Sequence, residues 1–234
     1  MMNNNPIGVF DSGIGGLTVV KEIIKLLPQE NIIYLGDTAR LPYGTKSPAT
    51  VLRYALQNAK FLLSKDIKLL IVACNSASAT SLPQLKAALS IPIIGVIEPG
   101  AKAAIASSRN GRIGVIGTET TINSGAYQQA LHSLNSTIHC FTQICPLFVP
   151  LVEEGWEADE ITLLVAKRYL SPLREVGTDT LILGCTHYPR LKEIIREVIG
   201  DRVTLIDSAR ETALEIKRIM EKAGGLRTRE GDPQ

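Results

Sequence analysis

Two phrases in this chain each end an apolar run with a cysteine. Leu-Leu-Ile-Val-Ala-Cys-Asn-Ser occupies 69–76, and Thr-Leu-Ile-Leu-Gly-Cys-Thr-His occupies 180–187. Such runs read as buried strands, and a reactive residue at a strand tip is delivered into the crevice beyond the sheet's carboxyl edge. Cys74 and Cys185 therefore read as two matched catalytic groups. Their neighbours add chemistry. Asn75 and Ser76 can hold a carboxylate, and the small residues around Cys74 let backbone approach closely. His187 can orient Cys185 or share its proton. The plainer alternatives are a buried structural cysteine at a strand end and a hydrogen-bonded histidine beside a turn. On the residues alone both stay open.

A second polar segment follows the first apolar run. Asp11-Ser12-Gly13-Ile14-Gly15-Gly16 looks like a phosphate loop but lacks the G-x-G-x-x-G order and a following Lys-Ser/Thr. Amide groups at a helix start can bind a carboxylate instead. Asp11 would repel an anion yet welcome an ammonium, so the combination favours a zwitterion over a nucleotide. The stretch from Gly36 to Gly44, Gly-Asp-Thr-Ala-Arg-Leu-Pro-Tyr-Gly, is a long polar turn rich in backbone donors. It also reads as an ordinary capped loop. Cys140 and Cys145 read as small core residues. No C-x-x-C pair or zinc-ligand array is present, and His132 and His139 lack matching cysteine spacing, so no metal is expected.

The elements that must position these groups alternate. Strand-like runs lie at 7–10, 31–35, 68–73, 91–97, 113–116, 138–141, 179–184 and 203–206. Near-continuous Ile, Val and Leu marks strands covered on both faces, as in parallel sheets. Helix-like stretches fall at 16–27, 48–65, 100–107, 121–134, 157–175, 191–199 and 208–223, with a further helix after Cys74 that Pro83 should break or kink. Ser47-Pro48 is a cap followed by a residue preset for the first turn, and Pro189 suits the same first-turn position. The alternation predicts an α/β fold. Ile-Gly-Val-Phe-Asp-Ser at 7–12 pairs with Ile-Gly-Val-Ile-Gly-Thr at 113–118, so the chain reads as two copies of one α/β half. The turn at Glu98-Pro99-Gly100 marks one boundary and Asp207 the other. The helix after Asp207 should pack back on the first half. The expected division is 1–98 plus 207–234 as the first domain and 99–206 as the second. The Gly-rich, charged stretch 224–234 is expected to make few contacts.

With 234 residues, 45% hydrophobic, 21% charged and a net charge of +2, the chain suits a globular protein with no broad attraction for nucleic acid or membrane. Its apolar runs are too short to span a bilayer, and Met-Met-Asn-Asn-Asn-Pro is no secretory signal. Unpaired thiols suit a reducing compartment, hence the cytoplasm.

The quoted residues closely resemble the glutamate racemase family. The matching stretches are Phe-Asp-Ser-Gly-Ile-Gly-Gly, Gly-Asp-Thr-Ala-Arg-Leu-Pro-Tyr-Gly, Ala-Cys-Asn-Ser-Ala-Ser-Ala, Pro-Leu-Phe-Val-Pro-Leu-Val-Glu and Leu-Gly-Cys-Thr-His-Tyr-Pro, in the family's order and across nearly the whole chain. The resemblance implies two α/β domains related by a pseudo-twofold, with the site in the cleft between them. It implies cofactor-independent racemisation of L-glutamate to D-glutamate for peptidoglycan. Cys74 and Cys185 would be the two acid/bases, taking the proton from D- and L-glutamate respectively, assisted by Asp11, Glu153 and His187. Substrate contacts would fall on Asp11, Ser12, Tyr43, Gly44, Asn75, Ser76, Thr186 and His187. Ser76 stands where the family often has Thr, and the hydroxyl is kept. The resemblance also implies a further strand and helix beyond Gln234, so the first domain is expected to be shortened and to show an exposed apolar patch. A homodimer stays open. Competing readings are a racemase of aspartate or a hydantoin, against which Thr186-His187-Tyr188-Pro189 argues, and a non-catalytic amino-acid-binding or regulatory protein. A thiol-redox role is the weakest, because a substrate-sized gap would hold the sulfurs apart.

Overall fold

The computed structural model of the chain describes residues 4–227 and Pro233. Among the described residues, eight strands form two separate four-stranded parallel sheets. The first contains β1 (Ile7–Asp11), β2 (Ile32–Gly36), β3 (Leu69–Val72) and β4 (Ile93–Gly95), in the order β2-β1-β3-β4. The second contains β5 (Arg112–Gly117), β6 (His139–Ile144), β7 (Thr180–Gly184) and β8 (Thr204–Asp207), in the order β6-β5-β7-β8. The two sheets repeat one plan. The central strands are the continuous apolar runs: β1, β3 and β7 are buried throughout, whereas the edge strand β2 is half-buried. All eight expected strands form. β4 is shorter than the run at 91–97, because the chain enters a helix at Ile97.

Ten α-helices among the described residues cover the sheets: α1 (Leu17–Leu26), α2 (Pro48–Leu63), α3 (Asn75–Ala88), α4 (Ile97–Ser107), α5 (Glu119–Asn123), α6 (Ala126–Leu134), α7 (Phe148–Glu153), α8 (Glu160–Glu175), α9 (Lys192–Ile199) and α10 (Ser208–Lys222). Ser47 caps α2 by accepting from the Thr50 amide, with Pro48 in the first turn. Three sequence expectations need correction. Glu98-Pro99-Gly100 is no turn but the first turn of α4, where proline costs nothing because that amide has no helical partner. The helix expected over 121–134 is two helices, split where Gly125 adopts φ 69°. Pro83 lies inside α3, which continues to Ala88.

One face of the first sheet packs Phe10, Leu70 and Val72 against Val51, Ala55 and Leu62 of α2 and Leu85 of α3. The other packs Val9 and Ile71 against Val19 and Ile23 of α1 and Ala213, Ile216 and Met220 of α10. In the second sheet, Leu181 and Leu183 meet Ala166 and Leu170 of α8 and Ile195 of α9. Its other face packs Val115 and Ile182 against Ala101 and Ala104 of α4 and Leu131 of α6. The chain thus leaves the first sheet after β4 and covers the second with α4. It leaves the second after β8 and returns to the first with α10. Each buried Leu or Ile contributes roughly 1.5–3 kcal/mol of transfer free energy.

Residues 224–227 make more contacts than expected. Lys68 Nζ donates to the Gly225 carbonyl (3.0 Å), the Arg227 amide donates to Glu30 Oε1 (2.8 Å), and Leu226 packs on the α1–α10 core. These contacts seat the segment against the first sheet despite its glycines. The rest of the stretch, Pro233 excepted, lies outside the described residues. On α1 and α10, Ile24 and Leu214 are exposed. Among the described residues no helix is long and apolar enough to cross a membrane.

Candidate active site

In each sheet the connections from the two central strands leave in opposite directions, which opens a crevice at their carboxyl ends. In the first sheet that point lies between β1 and β3, where Asp11–Gly16 and Cys74 sit. In the second it lies between β5 and β7, where Thr118 and Cys185 sit. The two crevices meet. One cavity of about 160 Å³ is lined by Ser12, Cys74, Asn75 and Ser76 from one side and by Thr118, Cys185, Thr186 and His187 from the other. Leu41–Thr45, Pro146, Val149, Pro150 and Glu153 close it. Drug-sized ligands occupy pockets of about 300–1,000 Å³; this one is scaled to an amino acid.

Cys74 caps α3 with extended backbone, and its Sγ lies 3.6 Å from Ser12 Oγ. Burial pushes its thiol up to about 12, and the Asp11 carboxylate adds to the rise. Cys185 Sγ lies 3.7 Å from His187 Nδ1, and His187 Nε2 lies 3.2 Å from Glu153 Oε1. Burial raises the Cys185 thiol as well, with Cys74 and Asp11 contributing. Neither thiol therefore keeps the ordinary cysteine value of 9.0. Sulfur surrounded by protein loses the hydration that stabilises a thiolate.

Asp11 is fully buried at the end of β1. Burial raises its carboxyl, against the Gly13 amide and the His187 charge, which favour the anion. The Gly13 amide donates to its Oδ2 (3.1 Å) and Thr186 Oγ1 to its Oδ1 (3.5 Å), so Asp11 bridges the two sheets. The glycine loop is packed equally tightly. A Cβ on Gly15 would stand 2.5 Å from Thr186 Oγ1, and one on Gly16 would stand 2.5 Å from Asp11 Cβ. Gly15 serves close approach between the halves, and Gly16 close packing of the loop on Asp11 and Tyr34 within the first.

Asn75 is buried and lines the cavity. Its Oδ1 accepts from Tyr127 Oη (2.8 Å), while its Nδ2 is a buried donor with no hydrogen-bond partner among the described residues. A buried unpaired donor is costly unless a ligand acceptor meets it. Ser76 Oγ joins Thr118 Oγ1 (2.9 Å) and Thr121 Oγ1 (3.2 Å) in a hydroxyl cluster across the halves. Tyr43 and Gly44 line the cavity, but the Tyr43 hydroxyl donates to Asp37 and accepts from Asn58 Nδ2 (3.1 Å). The phenol is thus tied into the first core. A Cβ on Gly44 would stand 2.7 Å from Thr118, so this loop also packs on the second half.

All eleven residues singled out from sequence therefore gather around one place: ten line the cavity, and Asp11 is hydrogen-bonded to two lining residues, Gly13 and Thr186. Thr118 was missed, although the duplication signals it. It ends Ile-Gly-Val-Ile-Gly-Thr where Ser12 ends Ile-Gly-Val-Phe-Asp-Ser. Glu153 is delivered by α7, whose Phe148 stacks edge-on against Tyr169 and Tyr188 (centroids 5.3 Å). Among the described residues no group of three or more His, Cys, Asp or Glu could hold a metal ion.

Comparison with known proteins gives this geometry a lineage. The family model for Asp/Glu/Hydantoin racemase matches residues 7–216. The glutamate racemase of Geobacter metallireducens is 62% identical over 92% of this chain and 79% of its own length. A glutamate racemase isoform from Bacillus anthracis superposes with TM-score 0.94 at 46% identity, covering 97% of this chain and 85% of that one. The Francisella tularensis glutamate racemase, solved in complex with D-glutamate, gives 0.92 at 44% identity, covering 99% and 86%. The chain belongs to the Asp/Glu/hydantoin racemase family of amino-acid racemases, on its glutamate racemase branch.

Proposed function

We propose that this racemase interconverts L- and D-glutamate by a two-thiol acid/base mechanism, with Cys74 and Cys185 on opposite faces of the substrate Cα. The observation that carries this reading is that both cysteines, each at the corresponding strand end of a matched sheet, line one amino-acid-sized cavity. The substrate ammonium is assigned to Asp11 and Ser12. The α-carboxylate is assigned to Asn75 Nδ2, Thr186 and the amides at the start of α3.

Racemisation breaks the Cα–H bond, sends the proton to one sulfur and moves the electron pair toward the α-carboxylate. Donors aimed at that carboxylate stabilise the developing charge. The opposite S–H then delivers its proton to the other face of Cα. One cysteine ends as a thiol and the other as a thiolate, so the reverse reaction starts from the product state. The raised thiol values suit the acid role. The base role needs help. The substrate ammonium beside Asp11 offsets the negative charge that pushes both thiols up. His187 stands within proton-sharing distance of Cys185, backed by Glu153. Following the family, Cys74 takes the proton from D-glutamate and Cys185 from L-glutamate.

The domain division 1–98 plus 207–234 and 99–206 belongs to this proposal. It is supported by the packing of α4 on the second sheet and of α10 on the first. A cytoplasmic setting is supported by four free cysteines, and a role in supplying D-glutamate for peptidoglycan follows from the family. A circular-dichroism or coupled assay on L- and D-glutamate tests the reading, with aspartate and a hydantoin as competitors. Turnover of both glutamate enantiomers is expected, unchanged by chelator or added pyridoxal phosphate. A preference for aspartate or hydantoin would overturn the glutamate assignment, and binding without turnover would leave only an amino-acid-binding protein.

A further inference from the structure

Tyr127 is fully buried on α6, in the second half, yet its hydroxyl donates to Oδ1 of Asn75, the first residue of α3 in the first half. Around it stand the two crossovers. Gly100 of α4 would carry a Cβ 3.6 Å from the Tyr127 hydroxyl and 3.7 Å from Ser208 Cβ, and Ser208 begins α10. A Cβ on Gly184, at the end of β7, would stand 3.2 Å from the Tyr127 ring. The phenol is therefore wedged where both chain crossovers and the strand bearing Cys185 converge. Burial raises its ionisation well above the ordinary value, so it remains an O–H donor.

We infer that Tyr127 is a positioning residue that orients the Asn75 side chain for the substrate. An amide side chain has two faces, an acceptor oxygen and a donor NH2. Turning it over would break the bond that Tyr127 donates to Oδ1, leave the phenol oxygen to accept from the NH2, and point an oxygen toward an anionic substrate group. With the phenol bound to Oδ1, Nδ2 is the amide atom left without a partner among the described residues, on a side chain that belongs to the cavity wall. The carboxylate-binding donor of one half is thus held by a residue of the other. This inference rests on the assignment of the substrate carboxylate to Asn75.

Tyr127→Phe removes only the hydroxyl and keeps the ring that fills the wedge. The expected result is a KM for glutamate raised about tenfold in both directions, the size of one directed hydrogen bond, with kcat lowered less and the melting temperature nearly unchanged. Tyr127→Phe should have no further effect on KM in an Asn75→Ala background, because the two residues act as one unit. Independent, multiplying effects on KM would overturn the inference, as would a Tyr127→Phe protein that melts early with its KM intact. The unmutated protein is the control that separates the two readings. If it fails to racemise glutamate, the function assignment fails; if it succeeds and the cycle is additive, only the positioning role fails.

Discussion

The two sides of the cavity are built on one plan and furnished differently. On the first, Cys74 is flanked by Ser12 and a fully buried Asp11. On the second, Cys185 is flanked by His187, which leads to a Glu153 side chain that is 38% exposed. The shared plan places two thiols at equivalent strand ends. In the proposed mechanism the furnishing sets how each thiol exchanges its proton: against an enclosed carboxylate on one side, through an imidazole–carboxylate pair that reaches toward solvent on the other. On that proposal the repeated plan supplies opposed geometry, and the differences between its two copies supply unequal acid/base partners. The comparison also explains why Asp11 has no acidic counterpart. Gly117 occupies its place in the second half, and on the proposed assignment of the ammonium to Asp11 no second such ligand is needed.

The largest effect is expected where the halves are alike. Cys74→Ala and Cys185→Ala should each lower kcat by about a thousandfold or more in both directions, since every turnover needs one base and one acid. Steady-state assays in each direction check this, and substantial turnover by either variant would break the symmetry argument. Smaller, direction-dependent effects are expected where the halves differ. His187→Asn should slow racemisation of L-glutamate more than that of D-glutamate, by about a hundredfold against about tenfold. Asp11→Asn should slow both directions and raise KM in both. Equal losses in the two directions for His187→Asn would show that the histidine serves the site as a whole.

The smallest effect concerns stability and treats both halves together. Burial raises the thiols of Cys74, Cys140, Cys145 and Cys185, from an ordinary 9.0 to about 12 for Cys74 and about 11 for Cys140. The folded state then holds protons that the unfolded chain releases. Stability from these groups is fully present below pH 9 and is lost as the pH rises from there through the folded values. Urea denaturation between pH 8 and 11 should show a falling midpoint, and the fall should be shallower in Cys145→Ala. A midpoint flat across that range would contradict the burial argument.

Much of this was legible in the sequence because parallel strands buried on both faces leave unbroken apolar runs. All eight strands were visible for that reason, and the cysteines, Asp11 and the polar turns stood at their ends. What escaped notice depends on short elements or distant packing. Helix α7 spans only six residues around Pro150, too few for a helical period to emerge. Tyr43 lines the cavity as the resemblance implies, but the direction of its hydroxyl is set by Asp37 and Asn58, partners no local pattern reveals. Thr118 was readable from the duplication, as the counterpart of Ser12. The raised thiol values could not be read at all, since they come from enclosure by both halves rather than from residue type. Tyr127 was hidden in an amphipathic helix, where a buried aromatic ordinarily means core.

The central claim is that protons enter and leave Cα from different sulfurs, and isotope incorporation tests it most directly. The protein is started on L-glutamate in deuterated water, and both enantiomers are separated at low conversion. The two-thiol account predicts D-glutamate carrying deuterium at Cα while the remaining L-glutamate is still unlabelled, with the mirror result from D-glutamate. D-glutamate that retains the original Cα hydrogen at early times, or early deuterium in the starting enantiomer, would contradict it.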